Sequence, residues 1–104
     1  MNDEDYKEFH EGLYYGADIE LLYNKMFYHI ESYVEENNGV SIRTISVEKL
    51  DKSIWSHDVH ELYEELFEES SENIDELIES CLNAPLFEGK SFYELRDEIE
   101  LLEL

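Results

Sequence analysis

Nine carboxylates, Glu61, Glu64, Glu65, Glu68, Glu69, Glu72, Asp75, Glu76 and Glu79, follow one another with no lysine or arginine between them. Carboxylates in such numbers could gather a cation, share a proton as an acid and base pair, or offer a field of negative charge to a basic partner. A solvated helix surface interleaves Lys or Arg at i+4 and gains a few tenths of a kcal/mol per pair, and these partners are missing here. At about 1.5 Å per residue, a continuous helix would spread the nine charges over roughly 27 Å. One DNA strand carries about eight phosphates over that length, at ~3.4 Å each. The matching densities lead us to expect a face that imitates phosphates toward a protein built to grip nucleic acid.

The other chemistries have less behind them. His57 and His60 in HDVHE lie near Glu61 and Glu64, yet the spacing is not that of HExxH and no second His or Cys cluster closes a tetrahedral site. No bound metal or other cofactor is expected. There is no Gly-rich phosphate loop, nucleophile elbow or Cys-His arrangement, and no two of the many carboxylates are singled out as an acid and base pair, so no catalytic residue is assigned and an enzyme is not expected. Cys81 fits the apolar stripe of its segment and reads as a small core residue. Tyr14, Tyr15, Tyr28 and Tyr33 read either as core or as an aromatic patch, and Tyr28 and Tyr33 are the candidates for a second, aromatic contact with a partner.

The 104 residues carry 28 acidic and 7 basic side chains, a net charge of −21. That balance opposes direct binding to nucleic acid or to an anionic membrane and favours a basic protein partner. Residues 1–52 hold twelve acids and five bases, and residues 53–104 hold sixteen and two, so the charge is concentrated in the second half. With 42% hydrophobic residues, eight Tyr and five Phe, the chain has the means to fold as one domain. A lone cysteine, an acidic N-terminus and the lack of a long apolar run suggest the cytoplasm, that of a host if the gene belongs to a phage. A homodimer is among the states the chain could adopt.

The elements that must hold these groups follow from periodicity. Tyr6, Phe9, Leu13 and Tyr14 share one face of a helix over Asp3–Tyr15, capped by Asn2 and stopped by Gly16. DIELLY (18–23) and MFYHIESYVE (26–35) flank a two-residue turn at Asn24-Lys25, and a second turn, Glu36-Asn37-Asn38-Gly39, leads into VSIRTISVE (40–48), which predicts a three-stranded antiparallel meander. Alternation puts Met26, Tyr28, Ile30 and Val34 on one face and Phe27, His29 and Tyr33 on the other. From Asp58 the period turns helical through Val59, Leu62, Tyr63, Leu66 and Phe67, and again through Ile74, Leu77, Ile78, Cys81 and Leu82. Ser70-Ser71 falls between the two sets, so the region is one helix or two. A last helix opens at the capping box Ser91 to Glu94, with Phe92, Leu95, Ile99 and Leu102 as its stripe. The expected fold is therefore α+β within a single domain, residues 1–52 giving the helix and meander and residues 53–104 two or three acidic helices on one sheet face.

GLYYGADIELLYNKMFYHIE and APLFEGKSFYELRDEIELLEL resemble stretches of small proteins from low-GC Gram-positive bacteria, their phages and mobile elements. There a short helix feeds a hairpin of the form G-x-E-x-x-Y-N-G-K-x-Y-x-I, and the chain closes on F-D-G-K-S-x-x-E-x-x-x-E. Here Asn24-Lys25-Met26 replaces Asn-Gly-Lys. The resemblance implies an α+β fold and a phage or mobile-element setting. In charge and size alone the chain also resembles the acidic DNA-mimic inhibitors of restriction enzymes and CRISPR nucleases. The sequence thus leads to two functional expectations: an anti-defence inhibitor that occupies the nucleic-acid groove of a nuclease or related protein, or an immunity protein that neutralises a cognate nuclease toxin by charge-steered capture.

Overall fold

The computed structural model of the chain describes residues 1–62 and 70–104, with the backbone alone for residues 37, 61, 62 and 70–72. Helix α1 spans Asp3–Tyr15. Its N-cap Asn2 accepts a hydrogen bond from the Asp5 N–H at 2.7 Å, and Gly16, at φ 82°, ends it in the left-handed conformation that glycine adopts without a Cβ penalty. Phe9 and Leu13, one turn apart, are its fully buried side chains.

The chain then runs through β1 (Ile19–Tyr23), β2 (Met26–Asn37), β3 (Val40–Lys49) and β4 (Lys52–Leu62), each antiparallel to the one before. All three connections are two-residue turns with both central φ angles positive: Asn24-Lys25 at 49° and 66°, Asn38-Gly39 at 53° and 80°, Leu50-Asp51 at 53° and 61°. That sign pattern is the hairpin turn whose twist matches the flanking strands. Helix α2 is described over Ser70–Asn83, and helix α3 is a single turn, Phe92–Leu95, opened by the Ser91 and Glu94 capping box. A 3-10 turn, Arg96–Glu98, leads to β5 (Glu100–Glu103), which pairs antiparallel with β1. The sheet order is β4-β3-β2-β1-β5.

The expected meander followed by helices is therefore corrected in two places. The segment from Asp58, read as the start of an acidic helix, is strand up to Leu62, because Trp55, His57 and Val59 lie opposite Val47, Ile45 and Arg43 in the β3 ladder. The expected last helix breaks after Leu95, and the chain that follows becomes a fifth strand. Phe92, Leu95 and Ile99 are buried as the stripe required, but Leu102 is 43% exposed, at the bulge where β5 slips register against β1.

The core lies between one face of the sheet and the helices. Ile19 and Leu21 of β1, Tyr28 and Ile30 of β2 and Ile45 and Val47 of β3 are at most 2% exposed, and they join Phe9, Leu13, Ile74, Leu77, Ile78, Cys81, Leu82, Phe87 and Phe92 in one cluster. Arg43, on the same face, donates from Nη2 to the Leu13 and Tyr14 carbonyls at 3.0 and 2.7 Å and from Nε to the Ser32 hydroxyl at 2.9 Å. It ties the end of α1 to the sheet. The Met1 ammonium donates to the Arg96 carbonyl at 2.7 Å, and the Arg96 guanidinium lies 4.1 Å from the Tyr6 ring, so the chain start is held against its last segment. Among the described residues no helix is long and apolar enough to cross a membrane.

Candidate protein-binding face

The opposite face of the sheet is built by the residues that alternate with the core. In register these are Glu20 and Leu22 of β1, Phe27, His29, Glu31, Tyr33 and Glu35 of β2, Ile42, Thr44, Ser46 and Glu48 of β3, and Ser53, Ser56, Asp58 and His60 of β4. None of these strand positions is Lys or Arg. The cations of the strands, Arg43, Lys49 and Lys52, pair in register with residues of the covered side. Glu103 adds a carboxylate opposite Glu20. The described helices pack on the other side, and among the described residues no helix covers this face, called the open face below.

His29 is its centre. Its Nδ1 lies 2.5 Å from a Glu20 oxygen and its Nε2 3.1 Å from a Glu31 oxygen, and the residue opposite on β3 is Glu48. Partial burial pulls the imidazole pKa down, but the hydrogen bonds and charges of Glu20 and Glu31 outweigh it and hold the group above its ordinary value. Asp18, His29 and Glu31 each bring one donor atom to within 4.8 Å of the others, close enough to share a cation. A recess of about 490 Å³ beside His29 has carboxylate walls from Glu20, Glu31, Glu48 and Asp51, with Phe27 and Leu50 on its rim. A second recess adjoins it, shares Glu20 and His29, and reaches Asp18 and Glu103. Phe27 is 61% exposed, Leu50 70% and Tyr33 45%, so large apolar surface stands among the charges.

The candidate residues from the sequence are spread over several places. Glu64, Glu65, Glu68 and Glu69 lie outside the described residues, as do the side chains of Glu61, in β4, and Glu72, in α2. Asp75, Glu76 and Glu79 are exposed on the outer side of α2, whose Ile74, Leu77 and Ile78 point into the core. Glu79 is engaged by the Tyr93 hydroxyl, which donates to it at 2.7 Å. With Glu61 in a strand, the nine acids do not form one continuous helical row. Of the two aromatic candidates, Tyr33 stands on the open face, whereas Tyr28 is fully buried against Phe87, with ring centroids 4.7 Å apart. His57 and His60 take opposite faces of β4, and His60 lies 3.8 Å from Asp58.

The cluster of Glu20, His29, Glu31 and Glu48 was not among the candidates. Alternation within β2 already placed Phe27, His29 and Tyr33 together and would have added Glu31. Glu20 and Glu48 arrive through ladder register with the neighbouring strands. No protein-family model, curated protein or solved structure matches the chain.

Proposed function

We propose that the protein is an inhibitor that binds the basic nucleic-acid-binding surface of a nuclease or another nucleic-acid-handling protein, in the setting of anti-defence by a phage or mobile element. The observation that carries this reading is the open face: Glu20, Glu31, Glu35, Glu48, Asp58 and Glu103 without a strand cation among them, interleaved with exposed Phe27 and Tyr33. Glu31 and Glu35 stand four residues apart on β2, roughly 13.6 Å at about 3.4 Å per residue, and the other carboxylates come one from each of the neighbouring strands, about 4.8 Å apart, so the negative charge is spread over the face rather than drawn out in one row. The net charge of −21 adds long-range steering toward a basic partner. The aromatic side chains add apolar area that phosphates lack, which favours a protein surface over any free cation.

The test compares two charge-reversal variants with the same net charge. One carries Glu31→Lys, Glu35→Lys, Glu48→Lys and Asp58→Lys on the open face. The other carries Glu8→Lys, Glu11→Lys, Asp97→Lys and Glu98→Lys, which lie outside it. The partner is captured from native host extract on the wild-type protein and purified, and its cleavage or binding of nucleic acid is titrated with each variant. The open-face variant is expected to lose inhibition while the second keeps most of it. Equal loss in both would leave only non-specific steering.

A further inference from the structure

Resting on that reading, we propose that the recess beside His29 is an anchor pocket for an arginine side chain of the partner. Its walls are Glu20, Glu31, Glu48 and Asp51, and its rim is the exposed pair Phe27 and Leu50. At about 490 Å³ it falls in the size range of ligand pockets, about 300–1,000 Å³. A carboxylate accepts at two oxygens with about four lone-pair sites, so Glu20 and Glu31 keep acceptor capacity beyond the bonds they make to His29.

The guanidinium suits this site better than an ammonium. Its five donors lie in one plane and can reach carboxylates on two or three sides at once, and the same plane stacks on an aromatic ring. Phe27 offers that ring beside the acids. An ammonium presents a compact, strongly hydrated charge that gains less from stacking. The stem of an arginine can also lie against Leu50. Leu50 is an unusual residue for its place, since φ 53° in a two-residue hairpin suits Asn or Gly, and a bulky side chain held there and 70% exposed costs conformational energy and hydration together. Contact with a partner would recover part of that cost.

The probes are acetyl-Gly-Arg-Gly-amide and its lysine counterpart, titrated into the isotopically labelled full chain and followed by amide NMR shifts. The arginine peptide is expected to shift a confined set around Phe27, His29, Glu31, Glu48 and Leu50, and to bind about threefold tighter than the lysine peptide. The preference should vanish in Phe27→Ala, an exposed position whose loss leaves the core intact, and the binding should weaken in Glu31→Gln combined with Glu48→Gln. No shifts, shifts scattered over all acidic surfaces, or a confined site that takes arginine and lysine equally would each overturn the anchor pocket. Those results would leave the open-face reading to its own test, because the charge-reversal variants report on a basic partner of either kind. Conversely, a confined arginine site with no effect of open-face reversal on inhibition would show a recess that takes arginine but would remove both the open-face reading and the recess's role as the partner's anchor, since that variant reverses Glu31 and Glu48 in its walls.

Discussion

Replacing Arg43 by methionine tests how α1 is fastened to the sheet. The guanidinium donates to the last carbonyls of α1, Leu13 and Tyr14, and to Ser32, and its charge sits at the negative end of the helix. Hydrogen bonds from a charged donor contribute about 1.5–3 kcal/mol each, and a cation at a helix end about 0.3–1 kcal/mol more. The site is only partly buried, so water recovers part of this when the side chain is removed, and we expect Arg43→Met to cost about 2–3 kcal/mol. For a domain of this size that lowers Tm by about 10–15 °C. The assay is thermal and urea unfolding followed by circular dichroism, with an unchanged urea slope as evidence that the unfolding reaction is the same. Arg43→Lys, which keeps the charge but not the fork, should fall between. Lys7→Met makes the same change in net charge at an exposed position and should stay within about 0.5 kcal/mol of wild type. If Arg43→Met is as stable as wild type, the contacts at the α1 end contribute nothing net. If Lys7→Met loses as much, net charge alone explains the effect.

Protonated His29 is stabilised by Glu20 and Glu31 in the folded protein, so its contribution is complete below the unfolded value of about 6.5 and is lost as pH rises through the raised folded value; urea titrations of metal-free protein across this window should show stability falling with pH, with that part of the slope absent in His29→Gln. Burial pushes the Cys81 thiol up to about 12, so a thiol reagent at about pH 8 should leave it unmodified until the protein unfolds. Leu50→Asn together with Asp51→Gly relieves two left-handed residues in the β3-β4 turn and should raise stability by about 1–2 kcal/mol in urea unfolding. With a net charge of −21, about 0.5 M salt at pH 8 should raise Tm by screening repulsion, and an unchanged Tm would mean that the charges are spaced widely enough not to interact.

The local signals in this chain were easy to read where they were chemical. Asn2 and Gly16 mark α1, and Asn24-Lys25 and the run Glu36-Asn37-Asn38-Gly39 mark two hairpins, although in the second the strand continues through Glu36 and Asn37 and only Asn38-Gly39 turns. Leu50-Asp51 forms the third with residues that do not announce a left-handed turn, so β4 had no visible start. Val59 and Leu62 fit a helical period that continues through Leu66, yet Trp55, His57 and Val59 also alternate, and pairing with β3 decides between the two patterns. The same holds for β5, whose four residues become a strand only because β1 has a free edge beside Ile99 and the C-terminal segment. The open face was legible along β2 and invisible across it. Phe27, His29 and Tyr33 share a face by alternation, whereas Glu20 and Glu48 join His29 through register, a long-range property that no single segment records.

The central claim is that the open face and nucleic acid compete for one surface of the partner. The most direct measurement is a fluorescence titration of labelled nucleic acid against the purified partner at several fixed concentrations of this protein. The account predicts that the apparent Kd for nucleic acid rises in proportion to the protein added, that the labelled strand is fully displaced at saturation, and that the variant reversed at Glu31, Glu35, Glu48 and Asp58 displaces none at the same concentrations. A ternary complex, in which the partner holds nucleic acid and this protein together with the apparent Kd unchanged, would contradict it.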